Sequence, residues 1–290
     1  MKNIKEFFTF ARERERVRIA RQQGKPWPWT KDKILLDYRF CNVFRRDDKV
    51  SRWIFHNLTL PLSGEYCSPN IIPALVAGRF FNRISTLEAL RPMLIKDGWN
   101  SSGALKILRR RAPPYVTGAY IVKAPPGMKK IEGIAQIIAP INKDKNKLFE
   151  LLRYDDTTLK CIQTELLEYP YMGKFMTYEV VSDLRWAQEM VGTPTDIMTW
   201  ANAGPGAARG LGWLYYSDPK RLNYHSDAQQ EVMLVMMRDI LAKSRLNSYW
   251  PHKWKKPWEL REVEHTLCEY WKYARCKYMG QRLKQRYRAL

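Results

Sequence analysis

The sequence predicts an all-α protein folded as two helical lobes. Apolar residues recur at helical spacing along most of the chain, helix start and stop signals punctuate it, and alternating strand patterns are scarce. No internal repeat is visible. The 290 residues, 45% of them hydrophobic, are enough to bury a sizeable core. Pro125-Pro126-Gly127 is the strongest break in the pattern and predicts lobes at 1–124 and 125–290.

Residues 2–23 read as a first helix. Phe7, Phe8, Phe10 and Ala11 form its apolar face, Arg12 to Arg21 a dense basic stretch, and Gly24 its stop. Pro26-Trp27-Pro28-Trp29-Thr30 is a rigid loop. A second helix carries Ile34, Leu35, Tyr38, Arg39, Phe40 and Asn42 and ends near Arg45-Arg46. Asp47-Asp48 is placed to cap a third, with Trp53, Ile54 and Leu58 inward. Ser68-Pro69 starts a helix over 71–81, with Pro at the first helical position. Ser85 and Glu88 have capping-box spacing, and Arg109-Arg110-Arg111 closes a helix before Pro113-Pro114. Residues 117–122 read equally as a short strand or a helix. Further helices are predicted near 128–139, 145–153, 157–168, 175–190, 226–246 and 258–278, followed by a basic tail with Arg282, Lys284, Arg286 and Arg288.

Composition narrows the function. Fifty Lys and Arg against 29 Asp and Glu give a formal charge of +21, which points to a polyanionic partner. Eleven Trp and sixteen Tyr, many beside basic residues, suit stacked or flipped bases. The five cysteines are scattered without a C-x-x-C pair, so neither a disulfide framework nor a metal site is signalled. The N-terminus leads into a charged helix rather than a signal peptide, and no apolar run reaches the roughly 20 residues of a membrane span. A cytoplasmic protein is expected.

Two glycine-bearing turns stand out. Four glycines and Pro205 fall within 204–212, in Gly204-Pro205-Gly206-Ala207-Ala208-Arg209-Gly210-Leu211-Gly212, ahead of a helix. Such a turn is either a phosphate or pyrophosphate cradle, with Arg209 forking onto the anion, or a tight loop that lets helices pack closely. The second is the hairpin at 169–175. Gly173 and Lys174 match the end of a helix-hairpin-helix DNA-binding turn, while Tyr171 stands where such turns carry their first glycine. Asp183 lies ten residues after Gly173 in a helix that also carries Glu179. Either it acts as base or electrostatic stabiliser, or it forms a pair within its helix with Arg185 or a neighbouring arginine. His265, Cys268 and Glu269 have helical spacing that imitates a metal cluster, but a fourth ligand is missing. No Walker-type motif, G-x-S-x-G or H-E-x-x-H occurs, and no cofactor is expected.

Several blocks together carry a family resemblance. They are Trp29-Thr30-Lys31-Asp32-Lys33-Ile34-Leu35, Tyr38-Arg39-Phe40-Cys41-Asn42-Val43-Phe44-Arg45-Arg46-Asp47-Asp48, Gly78-Arg79-Phe80-Phe81-Asn82-Arg83, Phe175 to Leu184, Gly204 to Leu211, and Glu264-His265-Thr266-Leu267-Cys268-Glu269-Tyr270-Trp271-Lys272-Tyr273. The chain resembles the helical family of phage thymine-hypermodification enzymes. That family includes the α-glutamyl/putrescinyl-thymine pyrophosphorylases, or amino acid:DNA transferases, and the helical domain of 5-hydroxymethyluracil DNA kinases. The sequence departs from the pattern at Trp271, where an acidic residue is expected before Lys272, and at Tyr171.

The resemblance implies a fold similar to helix-hairpin-helix DNA glycosylases. It implies double-stranded phage DNA carrying modified thymine as substrate, in an infected bacterial cell. An amino acid or polyamine would displace pyrophosphate from 5-pyrophosphoryloxymethyl-deoxyuridine. It implies catalytic roles for Asp183, Glu179 and Arg209, and substrate or pyrophosphate binding by Gly204, Gly206, Arg209, Arg39, Asn42 and Arg45. Tyr171, Gly173 and Lys174 would hold DNA, with His265, Glu269 and Lys272 as further site candidates. The competing readings are the helical component of a DNA kinase, a glycosylase-like enzyme and a non-catalytic DNA-binding module.

Overall fold

The computed structural model describes residues 3–64, 67–118, 124–153, 156–187 and 194–287. Every regular element among them is helical, and the only strand-like feature is an isolated bridge between Tyr38 and Arg286. In chain order the helices are α1 (Ile4–Gln22), α2 (Lys33–Asp37), α3 (Lys49–Ile54) running through a π turn at Phe55–Thr59 into α4 (Leu60–Ser63), α5 (Ile71–Phe81), α6 (Ile84–Lys96) and α7 (Ser101–Arg109). Then come α8 (Lys130–Lys143), α9 (Lys145–Leu152), α10 (Leu159–Leu167), α11 (Lys174–Leu184), α12 (Pro205–Tyr216), α13 (Asp227–Ser244) and α14 (Leu260–Met279). The expected strand or helix at 117–122 and the end of the helix expected to reach 190 lie largely outside the described residues.

The chain divides into two compact units, but not at Pro125. One unit joins 1–48 to 197–290, and the other is the continuous stretch 49–196. The expected boundary falls inside the second unit because α8, just beyond the proline turn, packs on α5 in the same core. All eleven residues of α5 are buried, and α6 and α11 also pack on it. Local apolar runs mark a core segment in either case. Which runs share a core is decided by contacts between positions far apart in sequence.

In the first unit α14 is the axis, against which α1, α2, α12 and α13 pack. Phe7, Phe8 and Phe10 of α1 are buried among Tyr270, Tyr273 and Trp258 in edge-on and tilted ring contacts. Such aromatic pairs add roughly 0.5–1.5 kcal/mol each beyond their buried area. Glu259 and Glu262 form a reciprocal capping box that starts α14. The capping roles read for Glu88 and Asp48 are corrected. No side chain caps α6, and Asp48 instead accepts the Asn42 backbone N–H at 2.9 Å. No described helix is long and apolar enough to cross a membrane.

Candidate functional site

Helical spacing brings Arg261, His265, Cys268, Glu269 and Lys272 to neighbouring positions along α14. Arg14 of α1 and the irregular segment 41–48 complete the surroundings. Glu269 is the hub of this polar cluster. One of its oxygens accepts the Cys41 backbone N–H at 3.0 Å, and the other accepts Lys272 Nζ at 2.5 Å. Arg14 grips the same residue from the other side, donating Nε to the Cys41 carbonyl at 2.9 Å and Nη2 to the same oxygen. Two oppositely charged side chains thus pin one residue's backbone. Buried polar groups normally find partners, yet Arg14 Nη1, Asp48 Oδ2 and His265 Nε2 are buried without one.

The electrostatics follow from burial in a cationic neighbourhood. Burial, reinforced by Arg45, Arg14, Arg261 and Lys272, holds His265 well below the usual histidine range, so the imidazole is neutral at physiological pH. Burial raises the Asp48 carboxyl, opposed by Arg45 and Arg14. Burial also pushes the Cys41 thiol up, and Cys268 to about 12, so neither is an activated thiolate. Burial pulls the Lys272 ammonium down, but Glu269 together with Cys41 and Cys268 outweighs this and its pKa is raised.

Arg14, Cys41 and Asn42 also line a cavity of about 570 Å³ whose other charged residues are Arg18, Arg21 and Arg39. Among the described residues no carboxylate lines it. Its aromatic residues include Trp27, Trp29, Tyr38 and Tyr287. Arg21 stacks over both Trp29 and Tyr287, with centroid distances of 5.4 and 5.7 Å. Trp27 is half-exposed at 50%. Tyr287 reaches the cavity because the C-terminal segment folds back. Its N–H donates to the Asp37 carbonyl at 2.8 Å, and Arg39 N–H donates to the Gln285 carbonyl at 3.1 Å.

Two glycines of the turn are sites of close helix packing. A Cβ on Gly206 would collide with Cys268 Sγ, and one on Gly210 with the Leu267 carbonyl, so both glycines let α12 lie close on α14. Gly204 is the N-cap of α12, and no side chain caps it. Arg209 is exposed on α12. Of the residues read as binding substrate, Arg39 and Asn42 line the cavity, and Arg45 belongs to the buried cluster.

In the structure Asp183 has a buried arginine partner. It is 4% exposed, and both its oxygens are held by Arg79, Nε at 2.6 Å and Nη2 at 2.5 Å. Its partner is neither solvent nor Arg185. Glu179, also buried, lies 3.9 Å from the same guanidinium. At the hairpin, Tyr171 takes a left-handed φ of +66°, the conformation that the expected first glycine would adopt without strain. Gly173 and Lys174 are exposed, and a Cβ on Gly173 would meet open space.

The sequence reading missed Arg14, Arg18, Arg21, Trp27, Trp29 and Tyr287 as cavity residues, and Cys41 and Asp48 as parts of the cluster. Arg14 was legible as one arginine too many on the apolar side of α1. The return of Tyr287 left no local signal.

The first unit therefore carries a cavity lined by arginine and aromatic side chains, with Arg14, Cys41 and Asn42 shared between it and the buried polar cluster. The family model described as 5-hmdU DNA kinase, helical domain, matches residues 1–282, and the chain belongs to that family. A 5-hmdU DNA kinase of Bacillus phage SP10 is 28% identical over 211 residues, covering 67% of this chain and 33% of that protein. The chain thus matches about a third of the length of that relative. No solved structure matches.

Proposed function

We propose that the protein acts in thymine hypermodification of DNA, as a transferase that replaces the pyrophosphate of 5-pyrophosphoryloxymethyl-deoxyuridine with an amine or amino acid. The observation that carries this reading is the 570 Å³ cavity, whose charged lining among the described residues is arginine alone. That volume lies within the range of about 300–1,000 Å³ typical of ligand sites. A base extruded from the duplex would stack on Trp27 or Trp29. Its pyrophosphate would meet Arg39, Asn42 and Arg14, all of which line the cavity. Guanidinium groups fixed around a leaving pyrophosphate stabilise charge as it develops, which lowers the barrier to displacement. Tyr171, Gly173 and Lys174 are proposed to hold the DNA backbone through the exposed hairpin, without base specificity.

Mass spectrometry of nucleosides tests this, after incubation of the protein with pyrophosphorylated DNA and a mixture of amines and amino acids. An amine adduct on thymine with release of pyrophosphate is expected. Unchanged nucleosides would reject the transferase reading.

The family model and the phage relative favour a second reading, in which the chain is the helical component serving a 5-hydroxymethyluracil DNA kinase. The sequence has no Walker-type motif, so the nucleotide site would lie on another polypeptide or domain. That reading expects preferential binding to 5-hydroxymethyluracil DNA and no phosphoryl transfer from ATP by this chain alone.

A further inference from the structure

One group in the buried cluster has no part in the reading above. Cys41 Sγ, a carboxylate oxygen of Asp48 and a ring nitrogen of His265 lie within 4.8 Å of one another. His265 is 8% exposed, and its Nε2 is buried without a hydrogen-bond partner, as is Asp48 Oδ2. Two buried polar atoms without partners, on side chains that meet at a common thiol, carry a cost that one shared ligand would remove. The supports around them are those of ligating side chains. The Cys41 backbone is pinned by Arg14 and Glu269, and the second Asp48 oxygen accepts the Asn42 N–H.

We propose that Cys41, Asp48 and His265 form a zinc site with three protein ligands and a fourth position open to a small ligand. The donor set selects the metal. Thiolate with imidazole favours Zn²⁺ over Mg²⁺ or Ca²⁺, which take oxygen ligands. Zn–S and Zn–N bonds of about 2.3 and 2.0 Å place tetrahedral ligands roughly 3.5 Å apart, so side-chain shifts of about 1 Å close the site. On binding, the Cys41 thiol gives up its proton to solvent, and thiolate plus carboxylate balance the two metal charges. Arg14, Arg45, Arg261 and Lys272 surround the cluster and disfavour a cation held by neutral ligands alone. With the ion neutralised by its own ligands, their charge remains available to an anionic fourth ligand. Cys41 also lines the cavity, so a phosphoryl oxygen is the suited ligand, and only that last step rests on the proposed function.

The test uses the full chain and metal alone. After dialysis with Zn²⁺ and then against metal-free buffer, about one zinc per chain is expected by elemental analysis. Co²⁺ in its place should give tetrahedral visible bands and a thiolate charge-transfer band in the near ultraviolet. Cys41→Ser should abolish the charge-transfer band. Asp48→Asn and His265→Gln should each weaken Co²⁺ binding by more than the roughly 10- to 100-fold typical of losing an outer-shell partner. Glu269→Gln, which only positions Cys41, should fall within that 10- to 100-fold range. A Cys67→Ser/Cys161→Ser protein, stripped of its exposed thiols, should bind as the wild type does. Folded wild-type protein that retains no metal, or a Co²⁺ spectrum without a thiolate band, overturns the proposal. So does a band that survives Cys41→Ser and vanishes in Cys268→Ser. Should Cys41→Ser fail to fold, the wild-type stoichiometry and spectrum decide alone.

Discussion

Arg79 holds both carboxylate oxygens of Asp183 in a buried, bidentate ion pair, with Nε–Oδ2 at 2.6 Å and Nη2–Oδ1 at 2.5 Å. Ser51 Oγ accepts a further bond from Nη2 at 3.0 Å. Two charges taken out of water together are tolerable, but one left alone is not. Removing one partner of such a pair costs about 3–5 kcal/mol. Asp183→Asn is therefore expected to lower the urea midpoint and Tm sharply. The triple change Arg79→Met, Asp183→Leu and Glu179→Gln should recover most of that loss, because it removes the buried arginine together with both carboxylates beside it. A folded Asp183→Asn protein of wild-type stability but greatly reduced turnover would return Asp183 to the reaction.

The contact between α12 and α14 gives a second test. Gly206→Ala puts a methyl group against Cys268 Sγ, and Gly210→Ala puts one against the Leu267 carbonyl. The carbonyl belongs to the helix backbone and cannot turn aside. Overpacking of this kind costs about 1–3 kcal/mol, so both variants should melt earlier, Gly210→Ala by more. Combining Gly206→Ala with Cys268→Ala should restore part of the loss. A Gly206→Ala variant with normal Tm and weakened pyrophosphate binding would favour the anion-cradle reading.

Glu262 predicts a pH dependence. Burial raises its carboxyl from the usual 4.5 to about 7, opposed by Arg261. Its folded pKa lies above the unfolded one, so its contribution to stability is fully present below pH 4.5. It is lost as pH rises through about 7. The shift corresponds to at most about 3 kcal/mol between those limits. Glu262→Gln keeps an acceptor for the Glu259 N–H and removes the buried charge. It should melt higher than the wild type at pH 8 and no higher at pH 4.5. Equal effects at both pH values would show that ionisation of Glu262 is not what sets its cost.

The cavity and the glycine turn make opposite demands on two exposed arginines. If the cavity holds the pyrophosphate, Arg39→Ala should slow single-turnover amine transfer about 100- to 1,000-fold, as loss of one charge-stabilising donor does, while Arg209→Ala stays near the wild-type rate. The reverse pattern would place the anion at the N-terminus of α12. Trp27→Ala should weaken binding of DNA with an extruded base more than binding of plain duplex. For plain duplex, about six phosphate contacts would give log K a slope near −5 against log salt. A flat salt dependence would remove the DNA-binding reading.

Much was legible in the sequence alone. Helical periodicity and stop signals such as Gly24, which takes the left-handed φ of +66°, specify most helices, because those preferences act over one to three turns. The second is an exception, since its pattern predicts a run to Arg45-Arg46 but it ends at Asp37 with Tyr38 extended. The family blocks at 38–45 and 264–273 marked the segments that supply most of the buried cluster, and Arg39 and Asn42 do line the cavity.

What only the tertiary structure decided was the pairing of distant positions. Asp183 has Arg185 two residues on in sequence, yet its carboxylate pairs with Arg79, 104 residues away. The close approach of α14 to Gly206 and Gly210 likewise appears only in the folded chain. The joining of 1–48 with 197–290, and the return of Tyr287 to Asp37, depend on long-range contacts that leave no periodic trace in the chain. Local propensity is a property of a few adjacent residues. A shared core, a buried charge pair or a converging ligand set is a property of surfaces that exist only once the helices have packed.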